Sequence, residues 1–254
     1  MRLGFCTDKN GLALAARAGC DYVEMSFTAV TRMEEADYTE LLQAVGDAGL
    51  AVEAMNGFIP GDFSLCSLDG GKGVMDFVLK GMERAQRLGT QVVVFGSGAA
   101  RRIPEGMEKE AALEQLAAFL RGAGEIAQNA GLRIAIEPLC YAECNAVNTL
   151  LEGWSLAKRC AREPVKVLAD LYHMGQNGEN MEDLYKVGAD LIHCHIGRPG
   201  SRKYPMPEDE YDYSGFFRAL KAIRYADRLS IEAGYPSSPE DLLPSVAYLR
   251  SLAR

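Results

Sequence analysis

The stretch AQNAGLRIAIE, residues 127–137, leads from a helix-forming segment through Ala-Gly into a run of β-branched and apolar residues that ends on a glutamate. Glycine accepts the left-handed conformation that stops a helix, and the apolar run after it reads as a buried strand. The same pattern returns in AARAGCDYVEM (15–25), VGDAGLAVEAM (45–55), AQRLGTQVVVF (85–95) and YKVGADLIHCH (185–195). Strands are therefore expected at Leu3–Cys6, Tyr22–Met25, Val52–Met55, Val92–Phe95, Ile134–Glu137, Val167–Asp170, Leu191–His195 and Leu229–Glu232. Helices fill the intervals, for instance Met107–Ala130 and Pro239–Arg250. Strands that alternate with helices require right-handed parallel crossovers. Eight such units in 254 residues close most economically into a single (β/α)8 TIM barrel spanning residues 1–254. An open doubly wound sheet is the alternative, but no GxGxxG follows the first strand and no P-loop occurs.

Composition narrows the class. The chain is 48% hydrophobic and 24% charged, with a formal net charge of −8. That field repels a phosphate backbone, so nucleic acid is not the expected partner. The N-terminus MRLGFCTDKNG carries no long apolar run, so neither a signal peptide nor a membrane anchor is expected there. Seven cysteines without a CxxC pair suit reduced thiols in a cytoplasmic protein. A homo-oligomer is open. Trp154, the one tryptophan, is expected to pack on the helix after strand 5.

Three long irregular segments follow strands: NGFIPGDFSLCSLDGG (56–71), GSGAARRIPEG (96–106) and GRPGSRKYPMPEDEYDY (197–213). In a barrel they crowd the C-terminal rim, where active sites sit. The last inward residues of strands 5 to 8 would be Glu137, Asp170, His195 and Glu232. Each acid alone could be a salt-bridged barrel residue, but three carboxylates and an imidazole converging from consecutive strands repel when dry and unpaired. A divalent cation removes that repulsion, and the oxygen-rich set with one nitrogen suits Mn²⁺, with Mg²⁺ or Co²⁺ as alternatives, one ion per chain. His193 shares the inner side of its strand with His195 and lies one layer deeper, as a hydrogen-bonding neighbour of the ligand. Cys194 points outward. His173, three residues past Asp170, is expected in the loop and within reach of substrate.

The set IEPLCYAEC (136–144), ADLYHM (169–174), HCHIGRPGSRKYP (193–205) and SIEAGY (230–235) resembles the xylose-isomerase-like barrels of sugar isomerases and epimerases, with the ketose 3-epimerase pattern the nearest. The resemblance extends over essentially the whole chain. It implies a metal held by Glu137, Asp170, His195 and Glu232, with Glu137 and Glu232 as the acid/base pair. It also implies substrate contacts at Glu143, His173 and Arg202, with Arg198 competing for the role of Arg202. The implied substrate is a small sugar or keto-sugar, inverted at C3 of a 2-ketose through an enediolate. The same carbanion chemistry would serve a keto-inositol isomerase or a 3-keto-glycoside lyase, and a non-catalytic metal-binding subunit is a third reading. The abasic-site endonucleases of the same superfamily need more histidines and a basic surface. Phe58, Ile59 and Phe63 are candidates to shape the sugar pocket. Arg101, Arg102, Arg198, Arg202 and Lys203 could take an anionic substituent, but a solvated rim balanced by Glu208, Asp209 and Glu210 is the favoured reading.

Overall fold

A computed structural model describes residues 1–67, 71–233 and 238–254. Part of the loop at 56–71 and the Gly-Tyr of SIEAGY lie outside the described residues. Eight parallel strands pair in chain order into a closed barrel. They are β1 (Arg2–Cys6), β2 (Tyr22–Ser26), β3 (Val52–Asn56), β4 (Val92–Phe95), β5 (Arg133–Ile136), β6 (Val165–Asp170), β7 (Leu191–Ile196) and β8 (Arg228–Ile231). The first five helices are α1 (Leu12–Ala18), α2 (Phe27–Arg32), α3 (Glu35–Ala48), α4 (Val74–Arg87) and α5 (Lys109–Asn129). The others are α6 (Leu150–Cys160), α7 (Leu171–Asn177), α8 (Asp183–Val187), α9 (Ser214–Ala222) and α10 (Leu242–Leu252). None of the helices among the described residues is long and apolar enough to cross a membrane.

The recurring glycine does what the sequence pattern requires. Gly19, Gly49, Gly89, Gly131 and Gly188 all sit at positive φ, from 53° to 82°, a conformation that an L side chain resists. Each turns the chain from a helix toward the next strand. The C-terminal helix starts later than expected, because Pro239–Asp241 form a single 3-10 turn capped by Ser238.

Alternation along the strands separates two cores. Val93, Phe95, Ile134, Ile136, Val167 and Ile231 join the large apolar layer beneath the helices. Val92, Val94, Ala135, Leu168 and Ile192 form a small cluster of their own, in the barrel interior. Two register shifts alter what the interior receives. On β7 the pairing jumps from Val167↔Leu191 to Leu168↔His193, so Ile192 is an extra residue there. On β3 the jump from Val23↔Val52 to Glu24↔Ala54 does the same for Glu53.

Glu53 plugs the N-terminal end of the barrel. Its carboxylate takes Arg228 Nε at 2.7 Å and Arg2 Nη2 at 2.5 Å, and both Glu53 and Arg228 are buried. Removing one partner of a buried pair strands the other charge, which costs about 3–5 kcal/mol. Glu53→Ala should therefore lower the stability read from urea denaturation by that amount. Arg2→Ala removes a half-exposed partner and should cost under about 1 kcal/mol. Equal losses in the two variants would show that the buried Arg228 pair is not what holds this end closed.

Candidate metal centre

The outward-facing Ile136, Ala169 and Ile231 put their successors Glu137, Asp170 and Glu232 on the inner side, at the C-terminal mouth. There, ligand atoms of Glu137, Asp170, His195 and Glu232 lie within 4.8 Å of one another. His195 Nδ1 is 3.0 Å from Glu137 Oε1 and 3.6 Å from Glu232 Oε2. Both glutamates stand one residue past the last residue of their strands, so each is the first residue of a loop. Glycine at position 96 makes room for Glu137, since a Cβ there would meet its Oε2 at 2.2 Å.

The residue that orients this cluster, Glu24, escaped the sequence reading because DYVEM reads as an ordinary buried strand. Its Oε1 lies 2.9 Å from His195 Nε2 and its Oε2 lies 2.8 Å from His193 Nε2. Ser230 Oγ donates to Oε2 at 2.6 Å, and Ser230 Oγ is also 2.8 Å from Tyr22 OH. Burial alone would raise the Glu24 carboxyl, but the imidazoles of His195 and His193 outweigh it and hold it well below the usual carboxylate range. A charged Glu24 accepts the Nε2–H of His195, which leaves Nδ1 as the ring atom that faces the acids. His193 thus shares Glu24 with His195 and braces that imidazole through the carboxylate.

Charge crowding is the dominant feature. Burial, then the Glu137 and Glu232 carboxylates, push Asp170 up to about 6. Asp170 Oδ2 is buried and has no hydrogen-bond partner. Burial would lower the His195 ring, yet Glu24, Glu232 and Glu137 together raise it well above its ordinary value. Three carboxylates, one imidazole and an orphaned oxygen are compatible with a divalent ion, which supplies the missing positive charge.

The three side chains expected to contact substrate gather beside the cluster. Arg202 Nη2 is 2.5 Å from Glu232 Oε2, and Nη1 is 3.5 Å from Glu143 Oε1. Its guanidinium lies over the Tyr172 ring at 4.8 Å, and its backbone is left-handed at φ 50°. A non-glycine residue held there carries backbone strain. Arg198 is instead tied to Asp209 at 2.9 Å. His173 is not in a loop: Asp170 accepts the Tyr172 N–H and caps α7 at once, which puts His173 in its first turn, buried. Cys140 N–H donates to His173 Nδ1 at 3.1 Å, so the neutral ring carries its proton on Nε2. That Nε2 has no hydrogen-bond partner and lies 3.6 Å from Asp170 Oδ2.

Other expectations are corrected. Arg101 is no rim cation: it is fully buried and donates to the carbonyls of Phe95 and Glu137 at 2.8 and 2.7 Å. It thereby braces the chain where Glu137 leaves its strand. Phe58 does not shape a pocket but sits in the core, edge to face with Phe27 at 4.9 Å. Phe63 packs on Phe77, and Ile59 is buried with its N–H bonded to Ser97. Trp154 packs against the core as expected, and its indole N–H also donates to Asp190 at 2.8 Å. Cys194 lies in the outer layer, and all seven cysteines are unpaired thiols.

The family model of xylose isomerase-like TIM barrels matches residues 12–252. The chain belongs to this family. An L-ribulose 3-epimerase of Methylomonas sp. (strain DH-1) is 26% identical over 237 residues, covering 89% of this chain and 78% of the relative. A structure of D-psicose 3-epimerase in the presence of D-fructose superposes with a TM-score of 0.89 at 18% identity, over 100% of this chain and 99% of the other. The IolI protein with a bound zinc atom gives a TM-score of 0.77 at 19% identity, over 100% and 98% of the two chains. Both superpositions show the shared fold.

Glu24 offers a test of the orienting role. Partners that fix a ligating imidazole typically govern metal affinity by about 10–100-fold. Glu24→Ala should weaken Mn²⁺ binding in that range, measured by chelator competition. Unchanged affinity would mean that His195 needs no such anchor.

Proposed function

We propose that this protein is a divalent-metal-dependent carbohydrate epimerase that inverts C3 of a 2-ketose, working in the cytoplasm as one barrel domain. The carrying observation is the placement of Glu137 and Glu232 beside the same imidazole nitrogen, at 3.0 and 3.6 Å. The similarity to an L-ribulose 3-epimerase over most of both chains supports the same reading. Glu137, Asp170, His195 and Glu232 would hold the ion, Mn²⁺ ahead of Mg²⁺ or Co²⁺ for an oxygen-rich set. A bound ion would draw charge from the ketone and the neighbouring hydroxyl oxygen and stabilise an enediolate.

The chain's own residues supply the proton transfers. Burial would raise the Glu232 carboxyl, but His195 and Arg202 overcome it and keep Glu232 well below the usual range, so that it stands ionised. Asn56 Nδ2 donates to its other oxygen at 3.2 Å and fixes the carboxylate plane. Glu137 faces the same point from another strand, so one glutamate removes the C3 proton and the other returns one to the opposite face. Arg202 and Glu143 form a polar pair at the rim for hydroxyl groups, and the Nε2–H of His173 is a donor with no partner in the protein.

Metal-loaded protein in D₂O should exchange the C3 proton of a free ketose, as read by proton NMR. Prior EDTA treatment should stop exchange, and activity in metal-free protein would overturn the reading. Glu137→Gln and Glu232→Gln should each abolish exchange, since an amide cannot accept the proton. A metal-loaded variant that keeps most of its activity would remove that glutamate from the acid/base pair.

His173→Ala and Arg202→Ala should leave metal content near normal and reduce kcat/KM, Arg202→Ala roughly tenfold to a hundredfold for a charged hydrogen bond and His173→Ala about tenfold or less for a neutral one. Arg198→Ala, whose partner is Asp209, should do less. Metal loss in His173→Ala would make that histidine a ligand.

A further inference from the structure

Two residues of α7 have roles that lie outside the helix. Gly175 stands inside it, where alanine would favour the helix. A Cβ there would meet Cβ and Cγ of Pro199 at 2.7 Å, so the proline ring lies directly against the helix backbone. The next residue, Gln176, accepts the Gly200 N–H on its Oε1 at 2.9 Å. Pro199 and Gly200 belong to the turn that carries Arg202. Arg202 N–H donates to the Arg198 carbonyl at 2.8 Å, and Arg198 N–H donates to the Lys203 carbonyl at 2.9 Å. A turn closed in this way moves as a unit. The end of α7 grips the loop after β5 as well: Asn177 Nδ2 donates to the Asn148 carbonyl at 2.8 Å, and Asn177 Oδ1 accepts the Tyr141 N–H at 3.2 Å. One short helix thus ties the loop that bears Glu143 to the loop that bears Arg202.

We infer that Gly175 and Gln176 are positioning residues, which seat the Arg202 turn on α7 and so set where its guanidinium stands against Glu232 and Glu143. Neither touches the metal cluster. The need for a seat follows from the backbone of Arg202. A non-glycine residue at φ 50° persists only where its surroundings impose that conformation. Pro199, with its own φ fixed by the ring, gives the turn a rigid foot on the helix, and Gln176 holds the next peptide. From that backbone the side chain crosses the Tyr172 ring to reach Glu232. Gly197 lets the turn leave β7 close by, since a Cβ there would meet the Glu232 carbonyl at 2.7 Å. Helix propensity alone would make alanine harmless at position 175, whereas a seat for Pro199 makes it disruptive. The effect on turnover rests on the epimerase reading above, and the seating itself does not.

The test has two arms. The first reads the Arg202 side chain directly, as ¹⁵N relaxation of its Nε–H signal, assigned by its loss in Arg202→Ala. The order parameter should stand near the rigid value of about 0.85 in the unaltered protein and fall below about 0.6 in Gly175→Ala. Gln176→Ala, at an exposed position, should lower it by a smaller step and serves even if Gly175→Ala fails to fold. Gln176→Glu keeps an acceptor for the Gly200 N–H and should restore it. Mn²⁺ affinity should stay within about twofold in all of these. The second arm is a double-mutant cycle on C3-proton exchange of D-fructose in D₂O. Gly175→Ala should lower kcat/KM about tenfold alone and less than about twofold in the Arg202→Ala background. A rigid Arg202 in both Gly175→Ala and Gln176→Ala, or losses that add fully in the cycle, would overturn the inference. So would a fall in Mn²⁺ affinity that matches the fall in exchange, because α7 would then act through Asp170. No exchange by the unaltered protein would count against the epimerase reading alone, and the relaxation arm would still decide the seating.

Discussion

His195 is held from both sides: Nε2 lies 2.9 Å from Glu24, and Nδ1 lies 3.0 Å from Glu137. Glu24 is in turn fixed by Ser230, and Ser230 by Tyr22. The chain of contacts runs through the barrel interior from β2 to β7 and β8, so the mouth cannot shift without breaking buried hydrogen bonds. In a low-dielectric interior such a network rigidifies when satisfied and is costly when broken. The acids at the mouth are placed relative to this ring. Glu137 and Glu232 reach it from the first residue beyond β5 and β8, and Asp170 closes β6.

Much of this was legible in the sequence because it depends on short-range rules. Helix-stopping glycines followed by apolar runs marked the strands, and strand alternation then fixed which end residues look inward. That sufficed for Glu137, Asp170, His195 and Glu232. The supporting residues were not legible, for reasons that are also physical. Glu24 stands in a strand that looks like plain core, and only barrel closure brings it to His195. Arg101 follows a glycine-rich turn and looks like a surface cation, yet the carbonyls of Phe95 and Glu137 draw it inside. His173 was placed in a loop because nothing in ADLYHM announces that Asp170 serves as both an inward acid and a helix cap. The bulge at Ile192 depends on the register between β6 and β7, which no local pattern records.

Unmet hydrogen bonds gather at the barrel mouth, while Gln115 Oε1, Glu179 Oε1 and Ser245 Oγ are orphaned elsewhere. Among the described residues, the buried side-chain atoms without a partner include Asp170 Oδ2, His173 Nε2 and His193 Nδ1. All three belong to the walls of the mouth or the layer just beneath it. Each costs about 1–3 kcal/mol when left unmet. The opposite end of the barrel shows the contrary arrangement, with the Glu53 carboxylate bound on both oxygens by Arg2 and Arg228. On the other side of the interior, Val92, Val94, Ala135 and Leu168 fill β4 to β6 with apolar side chains. The interior is thus sealed where it serves only stability. It stays undersatisfied where three acids, an imidazole and a neutral histidine donor gather at the mouth. A fold with apolar residues at those positions would be more stable and would have nothing with which to hold a cation or move a proton. The stability forgone at the mouth leaves a set of groups compatible with a divalent ion.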